Sequence, residues 1–174
     1  MLLLAACGDK PPDRAIVAAD TVPQKPEPTD GCRLSGSVYG AIEGAIDWQA
    51  ANLRCEGMPR PAGAGARLRF AGPHPSGDGT LAVIVALPAH ERDTLAESID
   101  GRVTMIEEGN GRFFAANEAG SCWIDILDVT ALDENRELTT GRLYCIRPLA
   151  EVNGSSSLTV PELEFSGLVD WSAS

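Results

Sequence analysis

Past residue 40 the apolar residues recur with a period of two, and glycine interrupts them every few positions. Ile42, Gly44, Ile46 and Trp48 fall on one side of an extended chain, and Glu43, Ala45 and Asp47 on the other. Arg67-Leu68-Arg69-Phe70 repeats the alternation, and Thr80 to Leu87 is a nearly continuous apolar run stopped by Pro88. Side chains alternate across a strand, so this pattern describes half-buried strands, with the 80–87 run as a strand buried on both faces. Val103 to Glu107 and Arg112 to Ala115 flank Glu108-Gly109-Asn110-Gly111, and Asp78-Gly79 separates the Leu68 and Leu81 strands. Asn-Gly and Asp-Gly supply the left-handed dihedrals of a tight hairpin. Cys122 to Val129, Leu138 to Ile146, Ser157 to Val160 and Leu163 to Trp171 read as further strands. Only Ala89 to Ser98 reads as a helix, and a short one. The expected fold is all-β: an antiparallel β-sandwich or barrel-like domain of roughly nine or ten short strands.

The five cysteines divide into one and four. Cys32, Cys55, Cys122 and Cys145 lie inside the strand-rich region, and the separations Cys32 to Cys55 and Cys122 to Cys145 are equal. Four cysteines allow three connectivities, and the equal spacing favours two local bridges, Cys32–Cys55 and Cys122–Cys145. In the loop-entropy account each bridge contributes about 3.5 kcal/mol. No Cys-x-x-Cys occurs and neither histidine is near a cysteine in sequence, which argues against zinc or dithiol chemistry.

The fifth cysteine has a different setting. Leu4-Ala5-Ala6-Cys7 resembles the lipobox of bacterial lipoproteins, in which a leucine and two small residues precede the cysteine that receives the lipid. The resemblance implies that Cys7 carries a diacylglycerol thioether, that residues 1–6 are the remainder of a signal segment, and that the new amino terminus is acylated. At about 0.8 kcal/mol per buried methylene, two or more chains anchor a protein stably to a membrane. Fewer residues precede Cys7 than the roughly 7–15 of an apolar signal core, so the true start is expected upstream of Met1. Residues 7–31 hold Pro11, Pro12, Pro23, Pro26 and Pro28 among charges of both signs. Such a stretch cannot offset its ordering entropy by burial, and as a proline-rich tether it could reach about 70 Å. Residues 32–174 are then a single domain facing the periplasm. Gly8 stands where an Asp would retain a lipoprotein in the inner membrane, which favours the outer membrane.

The formal net charge of −11 and the pI near 4.5 argue against sequence-independent nucleic-acid binding, which needs clustered cations, and equally against a basic headgroup-binding patch. The expected partners are the membrane, through the lipid, and an envelope protein or glycan. No cofactor is expected.

Catalytic signals are sparse. His74 lies in the turn-forming stretch Gly72 to Gly79 and His90 in a polar connection, so both read as exposed. No nucleophile elbow, His-Glu-x-x-His, phosphate loop or dinucleotide fingerprint occurs. Glu107 and Glu108 are adjacent on a strand and point to opposite faces. Asp125, Asp128, Asp133 and Glu134, with Asn135 and Glu137 nearby, are the candidate ligands for a hard cation, although the spacing of a calcium loop is missing. Trp48, Trp123 and Trp171 read first as core. Trp123 follows Cys122, faces away from it, and is the candidate binding residue if it emerges on a sheet face. Asn153-Gly154-Ser155 matches a glycosylation acceptor and reads as a turn.

The leading expectation is a non-catalytic binding or structural module of the bacterial envelope. The alternatives are an envelope hydrolase and a divalent-cation module on the 125–137 loop. Two related halves are suggested by Leu53-Arg54-Cys55 with Leu143-Tyr144-Cys145 and by Leu68 to Gly72 with Leu163 to Gly167. A match of Gly44 to Trp48 with Gly167 to Trp171 follows a different register.

Overall fold

The computed structural model describes residues 31–61, 64–116 and 118–173, so Cys7 and the tether lie outside the described residues. Eleven strands form one antiparallel sheet: β1 (Arg33–Gly40), β2 (Gly44–Gln49), β3 (Arg54–Pro59), β4 (Ala66–Pro73), β5 (Thr80–Leu87), β6 (Ala96–Glu108), β7 (Arg112–Ala115), β8 (Cys122–Ala131), β9 (Arg136–Cys145), β10 (Leu149–Glu151) and β11 (Ser157–Asp170). No helix occurs among the described residues.

Register explains why eleven strands occupy nine positions. The second half of β6 pairs with β7 through Thr104–Glu107 and its first half with β8 through Ala96–Gly101. In the same way β11 pairs with β10 near Leu158 and with β9 through Leu163–Asp170. β7 pairs with β10, and β8 with β9. Thus β7 and β8 are one line of chain broken at 116–121, and β9 and β10 another broken at 146–148. The order across the sheet is β2, β1, β11, β9/β10, β8/β7, β6, β5, β4, β3.

The sheet rolls over itself until β3 and β4 pack on β11. Phe70 of β4 meets Phe165 of β11 at 6.2 Å between ring centres. Alternation decides which residues fill the roll: Leu34 and Val38, Leu68 and Phe70, Val103 and Met105, Ile124, Leu143, and Phe165 and Val169 are all buried. Glycines stand where the layers come closest. A Cβ on Gly57 would press on Leu168 O, and one on Gly72 on the Trp48 indole.

Both expected disulfides form. Cys122 and Cys145 are directly opposed on neighbouring strands, with Cα atoms 4.0 Å apart. Cys32–Cys55 joins the start of β1 to β3, strands with no hydrogen bonds to each other, with Cα atoms 6.2 Å apart. One spacing thus serves two geometries, a rung within the sheet and a tie across the roll.

Several expectations are revised. Ala89–Ser98 is not helical: it forms turns after β5 and then enters β6, which begins at Ala96 and not at Val103. Asp93 and Ser98 take positive φ there, which a helix does not allow. The polar, glycine-containing β1 escaped detection because RLSGSVYG shows little alternation. The runs at 157–160 and 163–171 belong to one strand, β11, whose ladder with β1 slips between Ser37 and Tyr39. Pro161 sits at that slip, where a missing N–H does least harm. The turn at 108–111 forms as expected, with Gly109 and Gly111 at positive φ.

Candidate functional site

Alternation continues past the apolar rows, and at each end of the roll the last inward-facing positions are polar. At one end His74 follows β4, Glu107 is the last inward residue of β6, Arg112 opens β7, and Glu151 closes β10. The Arg112 guanidinium donates to Glu107 Oε2 at 2.9 Å, Glu151 Oε1 at 2.7 Å and Ser156 Oγ at 2.9 Å. It also lies 4.9 Å from the Phe114 ring centre. Ser156 hydrogen-bonds to Glu151 in turn. His74 Nε2 is 3.2 Å from Glu107 Oε1, with both side chains 9% exposed. The Arg112 hydrogen bond first, and then Ser156, hold the Glu151 carboxyl down at about 2.

The opposite end is built the same way from other elements. His90, in the turn after β5, is fully buried, and its Nε2 lies 3.1 Å from Glu137 Oε1 of β9. Glu137 also accepts from Asp93 N at 3.1 Å and from Thr139 Oγ1 at 3.3 Å. The Trp171 ring lies 6.0 Å from the His90 ring. Both histidines therefore depart from the exposed positions expected of them. Their chain segments are turns, but the side chains point inward because a glutamate waits at the end of a neighbouring inward row.

Each end pairs a histidine with a glutamate, and further partners inside the protein hold both glutamates. Arg112 is shared between Glu107 and Glu151, and a carboxyl held at about 2 is a permanent anion near neutral pH. Glu137 has three partners, all inside the protein. Glu107 and Glu108 do face apart: Glu107 lies under Arg112, while Glu108 pairs with Arg69 on the outer surface.

The acidic candidates scatter. Asp125 stands on the outer face two residues from Trp123, covered by its own partners, and accepts from Ser98 N and Arg142 Nε, both at 2.8 Å; these two bonds, Ser98 first, depress its pKa. Asp128 accepts from Thr130 Oγ1 at 2.9 Å. Asp133 closes the β8–β9 turn by accepting from Asn135 N, Arg136 N and Arg136 Nε. Glu134 is exposed at the tip. No group of three potential ligands converges among the described residues. Asn153 takes positive φ in the turn between β10 and β11.

Trp123 is where alternation puts it. Its neighbours Cys122 and Ile124 are buried, while Trp123 is half-buried on the outer face, directly opposite Tyr144 of β9. Tyr144 likewise sits between buried Leu143 and Cys145. Trp48 is core and donates to Pro73 O at 3.1 Å. One strand further, a groove on the outer face is lined by Ser35, Gly36, Glu162 and Glu164. Tyr144 and this groove were absent from the sequence reading. The signal that could have found them is parity: Tyr144 precedes Cys145 as Trp123 follows Cys122, so both aromatics must leave the core on the same side.

No protein-family model matches this chain, and neither the curated proteins nor the solved structures give a significant match.

Proposed function

We propose that this chain is a lipid-tethered protein of the bacterial cell envelope whose β-domain is a binding or structural module on the periplasmic side and works without catalysis. The observation that carries it is the pair of disulfides. Bridges of this kind persist in oxidising compartments, so the folded part belongs outside the cytoplasm. The Leu4-Ala5-Ala6-Cys7 lipobox supplies the anchor in this reading, and the proline-rich stretch after it the reach. The engagement of His74, His90, Glu107, Glu137 and Glu151 with internal partners supports a non-catalytic role.

The test is intact-mass analysis of the native product from a membrane fraction, before and after reduction. The expected result is a polypeptide starting at Cys7 with thioether-linked lipid and two bridges, Cys32–Cys55 and Cys122–Cys145. Absence of acyl mass on Cys7 would remove the anchor from the reading.

The hydrolase reading draws on one observation, the convergence of His74, Glu107 and Glu151 around Arg112. The binding reading fits better, because Arg112 bonds both carboxylates and Glu151 has no proton to give near neutral pH.

A further inference from the structure

We propose that the outer face of β8, β9 and β11 is a saccharide-binding surface, on which Trp123 and Tyr144 stack against sugar rings and the Glu162/Glu164 groove accepts hydrogen bonds from their hydroxyls. The proposal deepens the binding-module reading and rests on it.

The geometry begins with one row of residues running across five strands. Asp100 of β6 pairs with Trp123 of β8, and Trp123 with Tyr144 of β9. The β9–β11 ladder ends at Leu143 and Leu163, so the next positions, Tyr144 and Glu162, lie across from each other. Glu162 pairs in turn with Ser37 of β1. Burial of Cys122, Ile124, Leu143, Cys145, Leu163 and Val38 fixes this row on the solvent side. The adjoining row carries Asp125, Arg142, Glu164 and Ser35. Arg142 is held by its hydrogen bond to Asp125 Oδ2 at 2.8 Å, which is the main cause of its raised pKa, and the Glu162 carboxylate adds to it. Two aromatic rings and a carboxylate groove therefore occupy one continuous surface.

The chemistry of this surface narrows the ligand. Directly opposed side chains on neighbouring antiparallel strands start about 5 Å apart, so the two rings are neighbours on one face of the sheet. Aromatic side chains give much contact area for few rotatable bonds, and the Cys122–Cys145 bridge, flanked by both rings, keeps their strands from shearing. A pyranose has an apolar C–H face that matches such a platform and a rim of hydroxyl donors. Ionised Glu162 and Glu164 only accept hydrogen bonds, and Ser35 Oγ can do either. At Gly36 a Cβ would lie 2.5 Å from both Glu162 O and the buried Leu163 side chain, so close packing of β1 on β11 requires glycine beside the groove. Glu162 and Glu164 within a chain of net charge −11 repel phosphorylated or uronic acid polymers. The ligand class is a neutral or N-acetylated sugar chain.

The experiment uses the full chain and three probes: cellotetraose, the N-acetylglucosamine tetramer, and purified cell-wall sacculi. Binding is read by calorimetry and tryptophan emission for the tetramers and by co-sedimentation for sacculi. At least one probe is expected to bind, with affinity falling at least tenfold in Trp123→Ala or Tyr144→Ala and several-fold in Glu162→Gln. Should Trp123→Ala fail to fold, Glu162→Arg, on the exposed rim, carries the test and is expected to abolish binding. The proposal is overturned if no probe binds, if binding survives these substitutions, or if the same surface instead takes a polyphosphate polymer. Failure here beside a lipidated, doubly bridged native product removes the sugar and leaves the envelope module. Sugar binding by a product without lipid on Cys7 does the reverse.

Discussion

His90 and Glu137 put two ionisable groups into a space with no solvent contact, and their value lies in their being together. Removing one partner of a buried pair strands the other, typically at 3–5 kcal/mol, whereas replacing both by apolar groups of similar volume is often neutral. Glu137→Ala is therefore expected to lower unfolding free energy by about 3 kcal/mol, and His90→Leu with Glu137→Leu by much less, as measured by urea denaturation. At the other end Glu151 predicts a pH dependence. Its pKa falls from 4.5 to about 2 in the folded state, so its stabilisation is complete above 4.5 and is lost as pH falls toward 2. The stability difference between the native chain and Glu151→Gln should shrink across that window and vanish near pH 2. A difference independent of pH would mean that ionisation of Glu151 is irrelevant to folding. At this scale the sequence disclosed Trp123 but neither histidine. Trp123 is placed by the parity of its own strand, whereas His74 and His90 sit in turns, where no period operates and a distant glutamate sets the direction.

Among the elements, the close approach of β3 to β11 is the most demanding contact. Gly57 has no Cβ to push against Leu168 O, and it is not at positive φ, so an added methyl acts through packing alone. Gly57→Ala is expected to cost about 2 kcal/mol by overpacking, measured as a shift of the urea midpoint without a change in slope. A neutral result would mean that the layers slide apart at no cost. Strands with clear alternation, such as β2 and β4, were legible from the sequence, as was the Gly109–Gly111 turn. The stretch before Val103 was misread because AHERDTLAES favours a helix locally, while β8 offers it a partner edge through Ile124 and Ile126. Sheet pairing is non-local, and no window of ten residues contains the partner.

For the whole molecule, the two disulfides test how the roll is held. Both close loops of sequence separation 23, so loop entropy assigns each about 3.5 kcal/mol. Replacing either pair by alanines should therefore destabilise the fold to a similar extent. Hydrogen exchange should separate them. Losing Cys32–Cys55 is expected to speed exchange in β3, which ends the strand order and pairs along its ladder with β4, while losing Cys122–Cys145 leaves β8 and β9 protected by their own ladder. Equal exchange patterns in the two variants would contradict a tie across the roll.

The amino-acid sequence by itself determined the all-β class, the faces of most strands, the glycine turns and the disulfide partners. Each of these follows from spacing within a segment: a period of two, a turn pair, an equal interval between cysteines. Only the tertiary structure decided that both histidines cap the core against glutamates, that one cysteine spacing makes a rung and a tie, and that Trp123, Tyr144 and Glu162 share a surface. Those outcomes depend on which rows end beside which, and the ends meet only after strands far apart in the chain have paired and the sheet has closed over its own first strands.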